Sequence, residues 1–200
     1  MTAAEHIPSR DEAKRIVVFD TAATVFSQYG FRRTTMNDIA EAAGISRPAL
    51  YLMFENKEHL FVELASFRLD QAIEAAVAAL NGSGSLEKRF GRAILDFERI
   101  FYEPIADSPH GAELMETNVS LKTDRMMSGL DRLFGMLAET LNQAEESGEV
   151  SFANSPTNSA EFVSLLFTAI GGIKKKASTA AEFRKQVQQI TQIFLQTISK

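Results

Sequence analysis

The sequence predicts an all-α protein: a group of three short N-terminal helices followed by a larger helical body, about nine helices in all. Three observations predict it. Apolar residues recur at spacings of three and four along most of the chain. Ser, Thr, Asn or Asp caps open the segments at legible positions. No stretch combines period-two alternation with hairpin chemistry such as Asn-Gly between two strands.

The elements follow in order. Ser9-Arg10-Asp11-Glu12 is a capping box, in which the serine oxygen accepts an orphan amide and Glu12 reaches back. Ile16, Phe19, Ala23 and Phe26 then form one apolar face until Gly30. Thr35 opens a second helix with Asp38 in the box position, and Gly44 stops it. Ser46 starts a third, short helix with Pro48 in its first turn, where a missing N–H costs nothing. Asn56 caps a run from Lys57 to about Leu80, and Ser85 caps Leu86 to Tyr102. Glu103-Pro104 breaks the pattern. A short helix is expected around Gly111 to Val119, a long one from about Thr123 to Ser147, and two more opening at Asn158 and Thr179.

Composition excludes several classes. The 200 residues contain no cysteine, so disulfides, a cysteine nucleophile and thiolate metal sites are excluded. His6, His59 and His110 are not spaced as ligands, and no Gly-rich phosphate loop, nucleophile elbow or His-Glu-x-x-His is present. No catalytic residue, metal or cofactor is therefore expected. The longest stretch without a charge, Gln186 to Ser199, is too short and too rich in glutamine to cross a bilayer. With no apolar signal core in the first twenty residues, a soluble cytoplasmic protein is expected.

Helices two and three are joined by Ala43-Gly44-Ile45, with Ile39, Ala40, Ala43, Ile45, Leu50 and Phe54 apolar around the joint. This is the helix-turn-helix plan. Spacing alone admits two readings, a generic helical hairpin or a DNA reader. The residue string is more specific. The Gly30-Phe31 entry, Thr35-Met36-Asn37-Asp38-Ile39-Ala40, Ala43-Gly44-Ile45-Ser46, Leu50-Tyr51 with Phe54, and Asn56-Lys57-Glu58 with Leu60-Phe61 stand in order and without gaps. Over about Asp11 to Gln71 this resembles the DNA-binding domain of the TetR/AcrR family of bacterial transcriptional regulators. The resemblance implies a DNA-binding domain at 11–71, a helical ligand-binding and dimerisation domain at 72–200, and a homodimer. That dimer represses from a double-stranded palindromic operator until a small, apolar effector of unidentified structure binds. An activator of the same fold, or a helical adaptor that grips protein, are the alternatives.

Carried over by position, the resemblance assigns DNA contacts to Thr35, Ser46, Arg47, Pro48, Ala49, Tyr51 and Lys57; Arg33, with Arg32, is a further candidate from its charge, a solvated loop arginine being its plainer reading. The chemistry is compatible. Thr35 stands at a helix N-terminus, suited to a phosphate. Arg47 can fork onto guanine O6 and N7 in the major groove, while Pro48 and Ala49 suit a thymine methyl. Tyr51 lies four residues beyond Arg47 on the same face, and Lys57 can reach a phosphate from outside the groove. Where the family usually has histidine or tyrosine before the Phe54 position, this chain has Met53, which cannot donate a hydrogen bond.

In the body, Phe97, Phe101, Met115, Met126 and Phe134 are candidate lining for an effector pocket, methionine being adaptable to varied apolar ligands; ordinary core packing is the plainer reading of each. The last two helices carry a clearer stripe. Phe162, Leu166 and Ile170 on one, and Phe183, Val187, Ile190 and Phe194 on the other, repeat at three and four residues. Such a hairpin commonly completes a four-helix bundle with its copy; intrachain packing is the alternative. The helix from Lys57 to Leu80 runs from one part into the other and is the natural lever for induction.

The formal charge of −5 opposes a protein that coats nucleic acid. Residues 1–60 hold seven Lys/Arg and eight Asp/Glu, near neutral, so a reader here must depend on a few placed cations.

Overall fold

The computed structural model describes residues 9–199, and His6 lies outside them. Ten helices are present among the described residues: α1 (Arg10–Tyr29), α2 (Met36–Ala42), α3 (Arg47–Met53), α4 (Lys57–Leu80), α5 (Leu86–Phe101), α6 (Glu103–Ala106), α7 (Gly111–Ser120), α8 (Asp124–Glu146), α9 (Ser159–Lys174) and α10 (Ala180–Gln196). The only β-type pairing among them is an isolated bridge between Val150 and Ser199.

Local chemistry explains most boundaries. Both halves of the capping box form at Ser9/Glu12, Thr35/Asp38 and Asn158/Glu161. Ser85 occupies the N-cap position of α5 but makes no cap bond; the Leu86 N–H donates instead to the Glu149 carboxylate at 2.5 Å. The break expected at Glu103-Pro104 is instead the start of α6. Pro104 sits in its first turn, where no donor is needed, and the Ile105 and Ala106 amides donate to the Tyr102 carbonyl.

The chain packs as two compact units. The first holds the residues up to Ala65 together with Ser108–Leu121; the second holds Ser66–Asp107 and the residues from Lys122 onward. In the first, α1, α2, α3 and the start of α4 enclose Val18, Phe19, Phe26, Ile39, Leu50, Phe54, Leu60 and Leu64. Phe26, Phe31 and Phe61 meet with centroids 5.1–5.6 Å apart, and Phe19 meets Phe54 at 5.6 Å. Helix α7 packs on α1 in this unit. The Ser108 hydroxyl donates to the Ser27 carbonyl at 2.6 Å, and the Arg32 N–H donates to Glu113 at 2.7 Å.

Gly30 makes that approach possible. Its φ is +81°, and a Cβ there would lie 2.5 Å from a Glu113 carboxylate oxygen and 3.0 Å from His110 Nδ1. The backbone angle demands glycine, and a Cβ would also push the end of the Glu113 side chain aside.

In the second unit α5, α8, α9 and α10 surround Phe90, Phe97, Leu133, Leu137, Phe162, Leu166, Ile170, Phe183 and Val187. Five of the residues expected to face a partner subunit, Phe162, Leu166, Ile170, Phe183 and Val187, are thus sealed inside the protomer. Ile190 and Phe194 are half-buried, with Phe194 against Phe162 at 5.3 Å. Periodicity identified the buried face correctly, but what covers it is the chain's own α5, α8 and the α9–α10 pairing. Among the exposed positions are Leu165 and Thr168 on α9 and Gln189 and Ile193 on α10. Leu165 is 50 % and Ile193 56 % exposed.

Candidate nucleic-acid interface

The turn between α2 and α3 is built by a specific C-cap. Gly44 has φ +65°, its N–H donates to the Glu41 carbonyl, and the Ile45 N–H donates to the Ala40 carbonyl at 3.0 Å. This pair of bonds is a Schellman motif, and it turns the chain sharply at the end of α2. Ser46 then caps α3 by accepting from the Ala49 N–H at 3.3 Å. Leu50 and Phe54 anchor α3 in the core, so its other side faces outward.

That outward side carries Arg47, Pro48, Tyr51 and Leu52, all exposed, with Ala49 half-buried. The Arg47 guanidinium lies 5.5 Å from the Tyr51 ring centroid, an arrangement that pre-orients it along the helix surface. Ser46 and Arg33 are exposed as well. The structure therefore brings Ser46, Arg47, Pro48, Ala49 and Tyr51 together on one short helix.

Two expected DNA contacts are otherwise engaged. The Lys57 ammonium donates to the carbonyls of Phe31 at 2.7 Å and Thr34 at 2.9 Å, with Arg32 O at 3.4 Å, and sits 4.5 Å from the Phe31 centroid. It clamps the 31–34 turn and does not point outward. Thr35 is spent on its own cap: its N–H and hydroxyl both donate to the Asp38 carboxylate at 2.8 Å, and its oxygen accepts from the Asp38 N–H. Those bonds, the backbone one foremost, hold the Asp38 carboxyl below the ordinary range. Lys57 thus fixes the 31–34 turn, and Thr35 fixes the start of α2.

The effector candidates divide between the units. Phe97, Phe101 and Phe134 are gathered in the second by Phe167, which meets Phe134 at 4.6 Å and Phe97 at 6.1 Å, while Phe97 stacks on Phe101 at 5.5 Å. Met126 is buried in the same unit, whereas Met115 on α7 belongs to the first. Phe167 was not anticipated, nor was the buried charge beside these rings. Glu98 is 1 % exposed, and Lys174 Nζ lies 2.8 Å from its carboxylate without hydrogen-bond alignment. Burial pushes the Glu98 carboxyl up, against the attraction of Lys174. Tyr102 donates to the Lys174 carbonyl at 2.9 Å, and burial also raises its phenol. A signal for Glu98 existed: it falls four residues after Ile94, on the apolar face of α5.

An all-helical body bearing a three-helix unit with an exposed, capped reading helix is the architecture of a helix-turn-helix DNA-binding protein. Residues 18–64 match the family model described as bacterial regulatory proteins, tetR family. The "Probable acrEF/envCD operon repressor" of Escherichia coli K12 is 44 % identical over 63 residues, which are 32 % of this chain and 26 % of that relative. Among six such relatives the chain covers between 26 and 54 % of their length. In fold, the chain resembles a TetR family transcription regulator from Marinobacter aquaeolei VT8, with TM-score 0.66, 21 % identity, and 96 % of this chain and 98 % of that one covered. It also resembles FadR of Bacillus subtilis, solved with stearoyl-CoA, with TM-score 0.67, 18 % identity and 90 % and 97 % covered.

Proposed function

We propose that this chain is a ligand-responsive transcriptional repressor. As a homodimer it binds a palindromic double-stranded operator and is released by a small, largely apolar effector. The observation that carries this reading is the outward face of α3, where Arg47 and Tyr51 stand together on a helix fixed from behind by Leu50 and Phe54. Arg47 is the base reader, with Ser46, Pro48, Ala49, Tyr51 and Arg33 around it. In this division residues 11–71 read DNA and residues 72–200 bind effector and dimerise, with α7 the part of the latter that packs against α1.

The aromatic group of Phe97, Phe101, Phe134 and Phe167 supports an apolar effector, and FadR of B. subtilis, similar in fold, was solved in complex with stearoyl-CoA. The dimer face is assigned to Leu165 and Thr168 on α9 and to Gln189 and Ile193 on α10, which are exposed positions of those helices. Two reading helices must stand roughly 34–36 Å apart to enter successive major grooves. An effector releases the operator by favouring a different spacing, and it shifts the equilibrium only by its differential affinity for the two states. The role is non-enzymatic and cytoplasmic and needs no cofactor. Among the described residues no helix is long and apolar enough to cross a membrane, and no group of three or more His, Asp or Glu could hold a metal ion.

The test is a titration of the gene's own upstream DNA with wild type and Arg47→Ala. Specific binding that the substitution abolishes, with dimerisation intact, supports the reading; equal binding by both overturns it. If the chain is an adaptor, neither protein binds this DNA.

A further inference from the structure

Leu52 stands out on the reading helix. It is 90 % exposed, the most exposed large apolar side chain among the described residues. It projects from α3 between the inward-facing Leu50 and Phe54, whose burial fixes the helix rotation. Pro48 lies four residues before it, so the two share one side of the helix and make an apolar strip. Arg47 and Tyr51 form the adjoining strip, about 100° round the axis. Behind Leu52, a surface hollow of about 280 Å³ is lined by Asp11, Lys14 and Arg15 from α1 and by Ala49, Leu52 and Met53. The exposed ammonium of Lys14 thus flanks the leucine on the side away from Arg47.

We infer that Leu52, with Pro48, reads the 5-methyl group of a thymine in each operator half-site. This rests on the DNA-binding reading above and deepens it. A leucine side chain neither donates nor accepts a hydrogen bond, so it cannot distinguish the polar patterns of base edges. The thymine methyl is the one apolar group on the major-groove edges of the four base pairs. An apolar strip continuous with the face that carries Arg47 therefore meets one complementary chemistry in that groove. Lys14 at its flank can reach a phosphate, with Asp11 one turn away on the same hollow. Two strips then divide the work: Arg47 reads guanine by hydrogen bonds, and Leu52 reads thymine by apolar contact.

The test uses the full-length protein and a duplex selected from a random pool. Each thymine of the selected site is replaced in turn by deoxyuridine, which removes the methyl and nothing else. For one thymine per half-site the wild type should lose about 4-fold in affinity, and about 15-fold when both half-sites are changed, from the transfer value of one buried methyl. Leu52→Ala should bind the thymine and uracil duplexes equally, and Leu52→Met should keep the discrimination. Thermal melting of Leu52→Ala should match the wild type, because the side chain is exposed. The inference is overturned if no thymine-to-uracil change weakens the wild type, or if the penalty persists undiminished in Leu52→Ala. Selection of no duplex at all overturns the DNA-binding reading and this one with it, which separates the two failures.

Discussion

Replacing Lys57 by methionine keeps the length of the side chain and removes its charge. The wild-type ammonium donates to two carbonyls at 2.7 and 2.9 Å, reaches a third at 3.4 Å, and lies over the Phe31 ring. A hydrogen bond to a charged group is worth about 1.5–3 kcal/mol, but Lys57 is half-buried and its carbonyls can be partly rehydrated, so a net loss of about 2 kcal/mol is expected. For a unit of this size that corresponds to a fall in its melting temperature of about 10 °C. The loss falls on the 31–34 turn, which delivers Thr35 to its cap on α2. The second assay is the salt dependence of operator binding. A phosphate contact contributes a slope of about −0.9 in log K against log salt for each phosphate neutralised. Since the ammonium is turned inward, Lys57→Met should weaken binding only through stability and leave that slope unchanged. A reduced slope with unaltered melting would show that Lys57 contacts phosphate and would refute the clamp.

Gly30→Ala should destabilise the first unit by about 2–4 kcal/mol, from the left-handed φ and the overlap with Glu113. Adding Glu113→Ala should recover part of that loss, and strictly additive melting data would contradict the close approach. Glu98→Ala empties the space beside the Lys174 ammonium and should lower the melting temperature of the second unit; an unchanged melting temperature would show that this buried group contributes nothing. The raised Glu98 pKa also fixes a sign. Its contribution is fully present below the unfolded value near 4.5 and is lost as pH rises through the folded value. Wild-type stability measured against Glu98→Gln should therefore decline with rising pH above 4.5, and a rising difference would contradict the burial effect. Leu165→Glu should give a folded monomer by sedimentation equilibrium, whereas Phe162→Glu should unfold the protomer; a Leu165→Glu chain that remains dimeric would move the interface elsewhere.

Where the physics is local, the sequence was readable. The three capping boxes, the Gly44 turn and the Ser46 start of α3 depend on residues within five positions of one another, and each was visible as a pattern. The α6 helix was missed because proline marks both breaks and first turns, and only the Tyr102 carbonyl distinguishes them. The apolar stripe on α9 and α10 showed which face is buried but not what buries it, since periodicity carries no identity for the partner. Lys57 and α7 show the other limit. A lysine after a cap reads as a surface cation, and nothing nearby in the sequence says that the 31–34 carbonyls turn back to meet it. Glu113 meets Arg32 from 81 positions away, and Gly30 was legible as a helix stop but not as a seat for another helix.

The central claim is that the α3 face reads DNA as part of a symmetric dimer. Footprinting of the gene's upstream region by the wild type and by Arg47→Ala tests it most directly. Two protected half-sites related by a dyad, with centres one helical turn or a whole multiple of about 34–36 Å apart, are predicted. They should vanish with Arg47→Ala while that variant remains a folded dimer. A single unpaired protected site, or protection that survives loss of the arginine, would contradict the account.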